Sequence, residues 1–320
     1  MSYQPPFTIT PAILQQAADI CELLGRWSVT ADAALSPRLR RDNRIRTIQA
    51  SLAIENNTLS LEQVTAVIEG KRVLGLPREI QEVRNAFTAY EHLVDWRADR
   101  IDDLLAAHGK LMAGLTDDAG VFRAGGVGIY RGRELAHMAP PPGRVPHLMA
   151  DLLAWVARAD VHPLIASCVF HYEFEFIHPF SDGNGRMGRL WQTLILSEWQ
   201  ALLAYLPVET VIRDRQADYY RALGEADAAA DATPFVAFML QALLAAMREA
   251  VTQAGSEKSS EKSSEKILAC LRQTPGMSAR DIAMKLDLSP RAVEKQIAAL
   301  KQSGRLRRVG AAKGGYWEVL

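Results

Sequence analysis

The sequence predicts a mainly α-helical chain: a large helical domain carrying one small β-hairpin, then a polar linker, then a small C-terminal domain. Three observations predict it. Apolar residues recur at three- and four-residue spacing through most of residues 13–252. Alternation of β-branched or aromatic residues with polar ones is confined to residues 120–146 and 306–320. A repeat without apolar residues after Ala254, QAGSEKSSEKSSEK at residues 253–266, separates the two patterned regions.

The chain has 320 residues, 48% of them hydrophobic and 23% charged, enough for a sizeable core and for two or three domains. The expected division is 1–60, N-terminal helices; 61–252, a helical core; 253–266, a flexible solvated linker with transient helicity from its interleaved Glu and Lys; and 267–320, a C-terminal domain. The start, MSYQPPFTIT, has no secretory pattern. No stretch is counted as reaching the ~18–20 apolar residues of a membrane span. The expected compartment is the cytoplasm, with no membrane partner. Cys21, Cys168 and Cys270 lie far apart without metal-ligand spacing, which argues against a disulfide framework or a zinc site. Formal charge is zero, but residues 267–320 hold ten Lys or Arg against four Asp or Glu, a net +6, which leaves −6 for the rest. Only that tail has an electrostatic reason to seek nucleic acid.

In order, Ile13–Leu24 reads as a first helix. SPRLRRDNRIRTIQASLAIENN reads as a second, with Ser36 as N-cap and Pro37 in its first turn. Ser51 and Glu55 are four apart and share a face near its end; taken alone, such a Glu is a solvated charge. Ser60 and Gln63 form a capping box for a third helix ended by Gly70. Pro77 opens a fourth, whose Ile80, Val83, Phe87, Tyr90 and Val94 define a buried stripe. A fifth runs from Ile101 to Leu115, with His108 read as core. Residues 120–146 read as a hairpin stopped by three prolines. An amphipathic helix follows, and then ASCVFHYEFEFI, whose His171 reads as a packed structural histidine.

The chemistry concentrates in HPFSDGNGRMGR, His178–Arg189, a loop between two helical patterns. Gly183-Asn184-Gly185 permits a tight turn and presents N–H groups where the second helix begins, an arrangement that suits phosphate. Arg186 and Arg189 share a face of that helix and are expected to reach neighbouring phosphates. Met187 and Gly188 complete the stretch assigned to the nucleotide. Asp182 plus phosphate oxygens is a donor set for Mg²⁺. His178, before Pro179, is tilted out of helical geometry and can aim its imidazole into the same space. Together these describe phosphoryl or nucleotidyl transfer. Tyr219 and Tyr220 suit either an adenine-stacking wall or ordinary core.

This stretch resembles the Fic-domain signature HxFx(D/E)GNGRxxR at every defined position, and the resemblance runs from about Ser51 to about Leu244. It implies a Fic-type helical core and an enzyme that moves AMP from ATP onto a Ser, Thr or Tyr hydroxyl of a protein, this chain itself among the candidate targets. His178 would be the general base, Asp182 the Mg²⁺ ligand, the Gly-Asn-Gly loop the seat of the α- and β-phosphates, and Arg189 the partner of the γ-phosphate. Ser51-Leu52-Ala53-Ile54-Glu55-Asn56 resembles the family's inhibitory helix, (S/T)xxxE(G/N), which implies that Glu55 pairs with Arg189 and denies it to the nucleotide. The hairpin resembles the family's flap, which implies a target-positioning strand; Val127, Ile129, His137 and Met138 are the assigned positions. A hairpin that only covers the core is the alternative.

The tail reads as three helices and a hairpin, a winged helix-turn-helix pattern, with Ser289 and Pro290 opening the third helix and Gly304 ending it. By resemblance to DNA-binding domains of this kind, Arg291, Lys295 and Gln296 would face bases or phosphates, and Arg305, Arg307, Arg308 and Lys313 would meet the backbone. Protein docking or dimerisation is the alternative use, and a homodimer is one expectation for assembly. Two rival functions remain beside AMP transfer. One is AMP removal, with Glu55 orienting a water; the other is a nucleotide-sensing DNA-binding regulator.

Overall fold

A computed structural model describes residues 3–34, 37–131, 134–311 and 314–320; the side chains of 29–34, 129–131, 134–136 and 256–261 also lie outside the description. Ser36, Lys313 and the Ile129 side chain therefore fall outside the described residues.

The chain is mainly helical, as expected. Its elements are α1 (Pro11–Ala34), α2 (Pro37–Ile54), α3 (Leu61–Ile68), α4 (Pro77–Glu91), α5 (Ile101–Leu111), β1 (Gly128–Arg131), β2 (Glu134–Met138), α6 (Val145–Arg158), α7 (Pro163–Ile177), α8 (Asn184–Trp199), α9 (Val208–Asp214), α10 (Gln216–Ala229), α11 (Thr233–Gln273), α12 (Ala279–Leu286), α13 (Pro290–Gln302), β3 (Leu306–Val309) and β4 (Tyr316–Val319). It divides into two compact units, residues 1–28 with 35–250, and residues 29–34 with 251–320.

In the larger unit α7 and α8 form the centre. α7 is apolar almost all round and buried continuously from Leu164 to Phe174, the behaviour of a helix with protein on every side. α8 is buried from Arg186 to Leu196. The N-terminal residues are tied down around them: Tyr3 Oη donates to Glu173 Oε2 at 2.6 Å, and Ala232 N donates to Pro6 O at 2.8 Å. β1 and β2 pair antiparallel, with Ile129 opposite His137 and a register shift after Ile129. The Ser60–Gln63 capping box is present at the start of α3.

Several local expectations change. α5 ends at Leu111 rather than Leu115, with Met112 as its cap. Val94 is 88% exposed, because α4 stops at Glu91 and a 3₁₀ turn carries Val94 off the stripe. Residues 253–266 lie inside α11, more regular than the flexible, transiently helical linker expected; past Gly255 the repeat has no glycine or proline, and its Glu and Lys are good helix formers. Thr233–Gly255 is long and apolar enough to cross a membrane by length and composition alone, contrary to the count from sequence. Its most apolar window is 61% buried inside the protein, as a core helix would be.

In the smaller unit Ile267, Leu271, Ile282, Val293, Ile297, Leu300 and Leu306 form a separate apolar core. Two of its helices start at side-chain caps: Ser278 with Asp281 for α12, and Ser289, the expected start of the third helix, accepting from Ala292 N, for α13. β3 and β4 pair antiparallel, Leu306 opposite Val319.

Candidate active site

The loop between α7 and α8 is built by backbone geometry first. His178 ends α7 in the left-handed region, φ 49° and ψ 63°, and its N donates to Phe174 O. A residue before proline avoids the right-handed helical region, so the helix breaks there and the imidazole leaves the helix face. A buried arginine holds this conformation. Arg123 donates from Nε to His178 O at 2.7 Å, from Nη2 to Ile177 O at 3.2 Å and Pro140 O at 2.6 Å, and from Nη1 to Gly125 O at 2.8 Å. The root of the hairpin and the histidine thus share one clamp.

Further along, Asn184 brackets Phe180, accepting from its N at 2.9 Å and donating to its O at 2.8 Å. Phe180 lies flat on His108, ring centres 3.6 Å apart. His108 accepts from Gly120 N at Nδ1 and donates from Nε2 to Asp182 O. Gly183, φ 83°, opens α8 and lies against Met112, leaving no room for a side chain.

A cavity of about 510 Å³ opens over the first turn of α8, lined among others by Glu55, His137, Glu175, His178, Gly185, Arg189, Tyr219 and Tyr220. His178 is held low, at about 4, chiefly by burial, with Arg123 and His137 adding to the effect against the Glu175 carbonyl and Glu55. Its imidazole is therefore neutral at pH 7. Nδ1 donates to Glu175 O at 3.3 Å, which leaves the Nε2 lone pair as the basic one.

Arg189, 1% exposed at its side chain, gives Nε to Ser51 Oγ at 3.0 Å, and Nη2 to Ser51 O at 3.0 Å and to Glu55 Oε1 at 2.8 Å. Burial alone would weaken its charge; the Glu55 carboxylate outweighs that, by its charge and by its hydrogen bond, and holds it firmly protonated. The Glu55 carboxylate rests directly on Gly185, so closely that a Cβ there would collide with Oε1. It occupies the space over the helix N-terminus where an anion would sit. α2 is further held by Gln216 Nε2 on Ile54 O and Arg213 Nη1 on Gln49 Oε1. Asn56, φ 67°, is exposed where α2 ends.

Other assigned residues take different posts. Arg186 does not point into the cavity beside Arg189: it is buried against Asp182 Oδ1 at 3.2 Å and Glu82 Oε1 at 3.5 Å, since a buried guanidinium needs acceptors and these lie nearest. Met187 is fully buried in the core, and Gly188 packs against His171 and Glu175. Tyr219 is buried with its hydroxyl on His171 Nε2 at 3.1 Å, while Tyr220 lines the cavity beside it. His171, its Nδ1 on Gln192 Oε1 at 2.7 Å, is pushed down to about 3 by burial and is structural, as expected. On the hairpin, His137 Nε2 donates to Phe176 O at 2.9 Å, Met138 is 62% exposed and Val127 O accepts from Ala139 N.

Asp182 is a half-exposed carboxylate, bonded through Oδ2 to Arg78 Nη2 at 2.9 Å and through Oδ1 to Gly183 N at 2.6 Å. Among the described residues no group of three or more His, Cys, Asp or Glu is placed to hold a metal ion by itself. A metal here would depend on Asp182, phosphate oxygens and water, which fits Mg²⁺.

In the C-terminal unit Arg291 and Lys295 are exposed on α13. Gln296 is not free for bases, because its Oε1 accepts from Ser264 Oγ at 2.6 Å. Arg307 pairs with Glu318 across the hairpin, Arg305 with Glu265, and the Arg308 guanidinium lies 4.7 Å over Trp317. Composition counted these charges as available; a cross-strand pair, a contact with Glu265 on α11 and an aromatic face engage them within the unit.

Sequence reasoning missed Arg123, Glu175 and Arg78. The signal for Glu175 was a carboxylate one turn before the motif histidine in a largely apolar helix. Arg123 had none, because its partners are main-chain carbonyls from separate segments.

Comparison with known proteins agrees with this geometry. The Fic/DOC family model matches residues 99–196 and an HTH domain model matches residues 264–316. Protein adenylyltransferase fic-1 of Caenorhabditis elegans is 29% identical over 217 residues, 63% of this chain and 40% of that protein. Protein adenylyltransferase Fic of Nematostella vectensis is 28% identical over 229 residues, 67% of this chain and 50% of that protein. The chain thus spans half or less of the length of these relatives. A crystal structure of a Fic family protein from Desulfovibrio desulfuricans G20 is 57% identical, with a TM-score of 0.79, and the match covers 99% of this chain and 98% of that one. With the motif loop, its helices and the C-terminal HTH domain matched along nearly the whole length, the chain belongs to the Fic family.

Proposed function

We propose that the chain is a protein adenylyltransferase that moves AMP from ATP to a Ser, Thr or Tyr hydroxyl of a protein, and that Glu55 holds it off. The observation that carries this reading is the convergence of a neutral His178, the α8 N-terminus at Gly185 and the buried Arg189 on one cavity. In the reaction His178 Nε2 takes the hydroxyl proton while the oxygen bonds to the α-phosphorus and the bond to pyrophosphate breaks. The first-turn N–H groups of α8 steady the phosphate charge. Arg189, once released by Glu55, takes the terminal phosphate through its forked donors. Asp182 would hold Mg²⁺, which supplies further neutralisation of phosphate charge. The hairpin offers a strand edge to the target backbone, and Arg123 keeps the base beside it.

Incubation with labelled ATP and candidate proteins tests this. Glu55→Gly should raise incorporation strongly, and adding His178→Ala should lower it ~10²–10⁴-fold. Equal labelling with and without Glu55 would remove the brake from the account. AMP removal is favoured as a second reading by the position of the Glu55 carboxylate inside the cavity, where it can orient a water. Loss of hydrolysis of a pre-modified target in Glu55→Gly would select it.

A further inference from the structure

Glu175 stands one turn before His178 on α7 and lines the same cavity, yet the transfer step as written does not use it. Its Oε2 is 4.0 Å from His178 Nδ1 and its Oε1 is 3.8 Å from His171 Nε2. Neither ring supplies it with a hydrogen. The His178 Nδ1 proton goes to the Glu175 main-chain carbonyl, and His171 Nε2 already accepts from Tyr219. Oε1 is buried and has no hydrogen-bond partner among the described residues. It packs on α8 at Gly188, just past the first turn, 3.0 Å from where a Cβ on that glycine would be. A carboxylate in that position would have no donors and would face the anion site. A neutral acid there would have a donor with no acceptor until a ligand arrives.

We propose that Glu175 enters the nucleotide site as a neutral acid and donates its carboxyl proton to an oxygen of the bound polyphosphate, so that nucleotide and one retained proton bind together. This rests on the cavity being the nucleotide site. Burial pushes Glu175 up to about 8, with Glu55 raising it further and Arg189 opposing. Among the other groups facing it, His171 on α7 and His178 at its end are already neutral, Arg189 on α8 stays charged, and Tyr219 and Tyr220 on α10 are raised by burial. Glu55 just past α2, His137 on β2 and Asp227 on α10 complete the charged and titratable lining. Glu55 is removed in the test below, and the Glu175→Gln comparison separates Glu175 from His137 and Asp227. The sign follows: the protonated acid donates, the ionised one repels phosphate, so affinity is lost as pH rises through the raised value.

The test is calorimetric titration of the full-length Glu55→Gly chain with ADP, without metal, from about pH 7 to 9.5, with and without Glu175→Gln. The expected result is affinity falling toward tenfold per pH unit in the alkaline range. In the glutamine variant, whose amide still donates, it should stay flat and within about threefold of the parent at pH 7. A flat parent profile, an equal slope in both chains, or a glutamine variant that no longer binds at pH 7 would each overturn the proposal. Absence of ADP binding by both chains would overturn the nucleotide site itself, an outcome distinct from these three.

Discussion

The arginines of the two units are put to different uses. Arg123 and Arg189 are buried, and each spreads its donors over several acceptors, main-chain carbonyls among them: Arg123 over separate segments, Arg189 over Ser51 and Glu55 at the end of α2. Arg307, 63% exposed, meets one carboxylate across a hairpin. The same side chain therefore fixes chain geometry in one place and trims surface charge in the other. A buried guanidinium has no water to fall back on, so its partners must hold position. An exposed one contributes little.

This contrast can be broken by measurement. Arg123→Met should cost the most, about 3–5 kcal/mol in urea unfolding, because four carbonyls lose their charged donor; a loss under ~1 kcal/mol would mean the clamp is ornamental. An intermediate effect should come from His171. Its folded-state value is about 3 against an ordinary 6.5, so the fold favours the neutral ring. Stability is therefore lost as pH falls below about 6.5 toward 3, by up to ~1.4 kcal/mol per pH unit. His171→Leu should show a shallower acid limb than wild type, and an unchanged limb would assign the acid loss to other groups. The smallest effect should be that of Arg307→Ala, less than ~1 kcal/mol by the same unfolding assay; a loss matching Arg123→Met would erase the distinction.

What the sequence made legible was local. The glycine turn, Asp182, His178 and Arg189 lie within twelve residues, and the caps at Ser60 and Ser289 need only three or four positions. The Ser51–Glu55 pair became informative only beside the motif, and it does meet Arg189. Roles decided by distant partners were hidden. Arg186 looked like a phosphate ligand until Glu82, from α4, gave it another partner. Gln296 looked like a base reader until Ser264 reached it from α11. Residues 253–266 differ for another reason: a repeat without apolar residues predicts a flexible linker with transient helicity at most, whereas helix propensity does not require apolar side chains and α11 runs through it.

The clamp at Arg123 has a mechanical consequence. One guanidinium serves Pro140 at the hairpin's foot and Ile177–His178 at the helix break, so neither can shift without dragging on the other. The strand that would greet an incoming polypeptide and the nitrogen that would deprotonate it are thereby kept in mutual alignment by a single planar group, with no hinge left between them to tune separately.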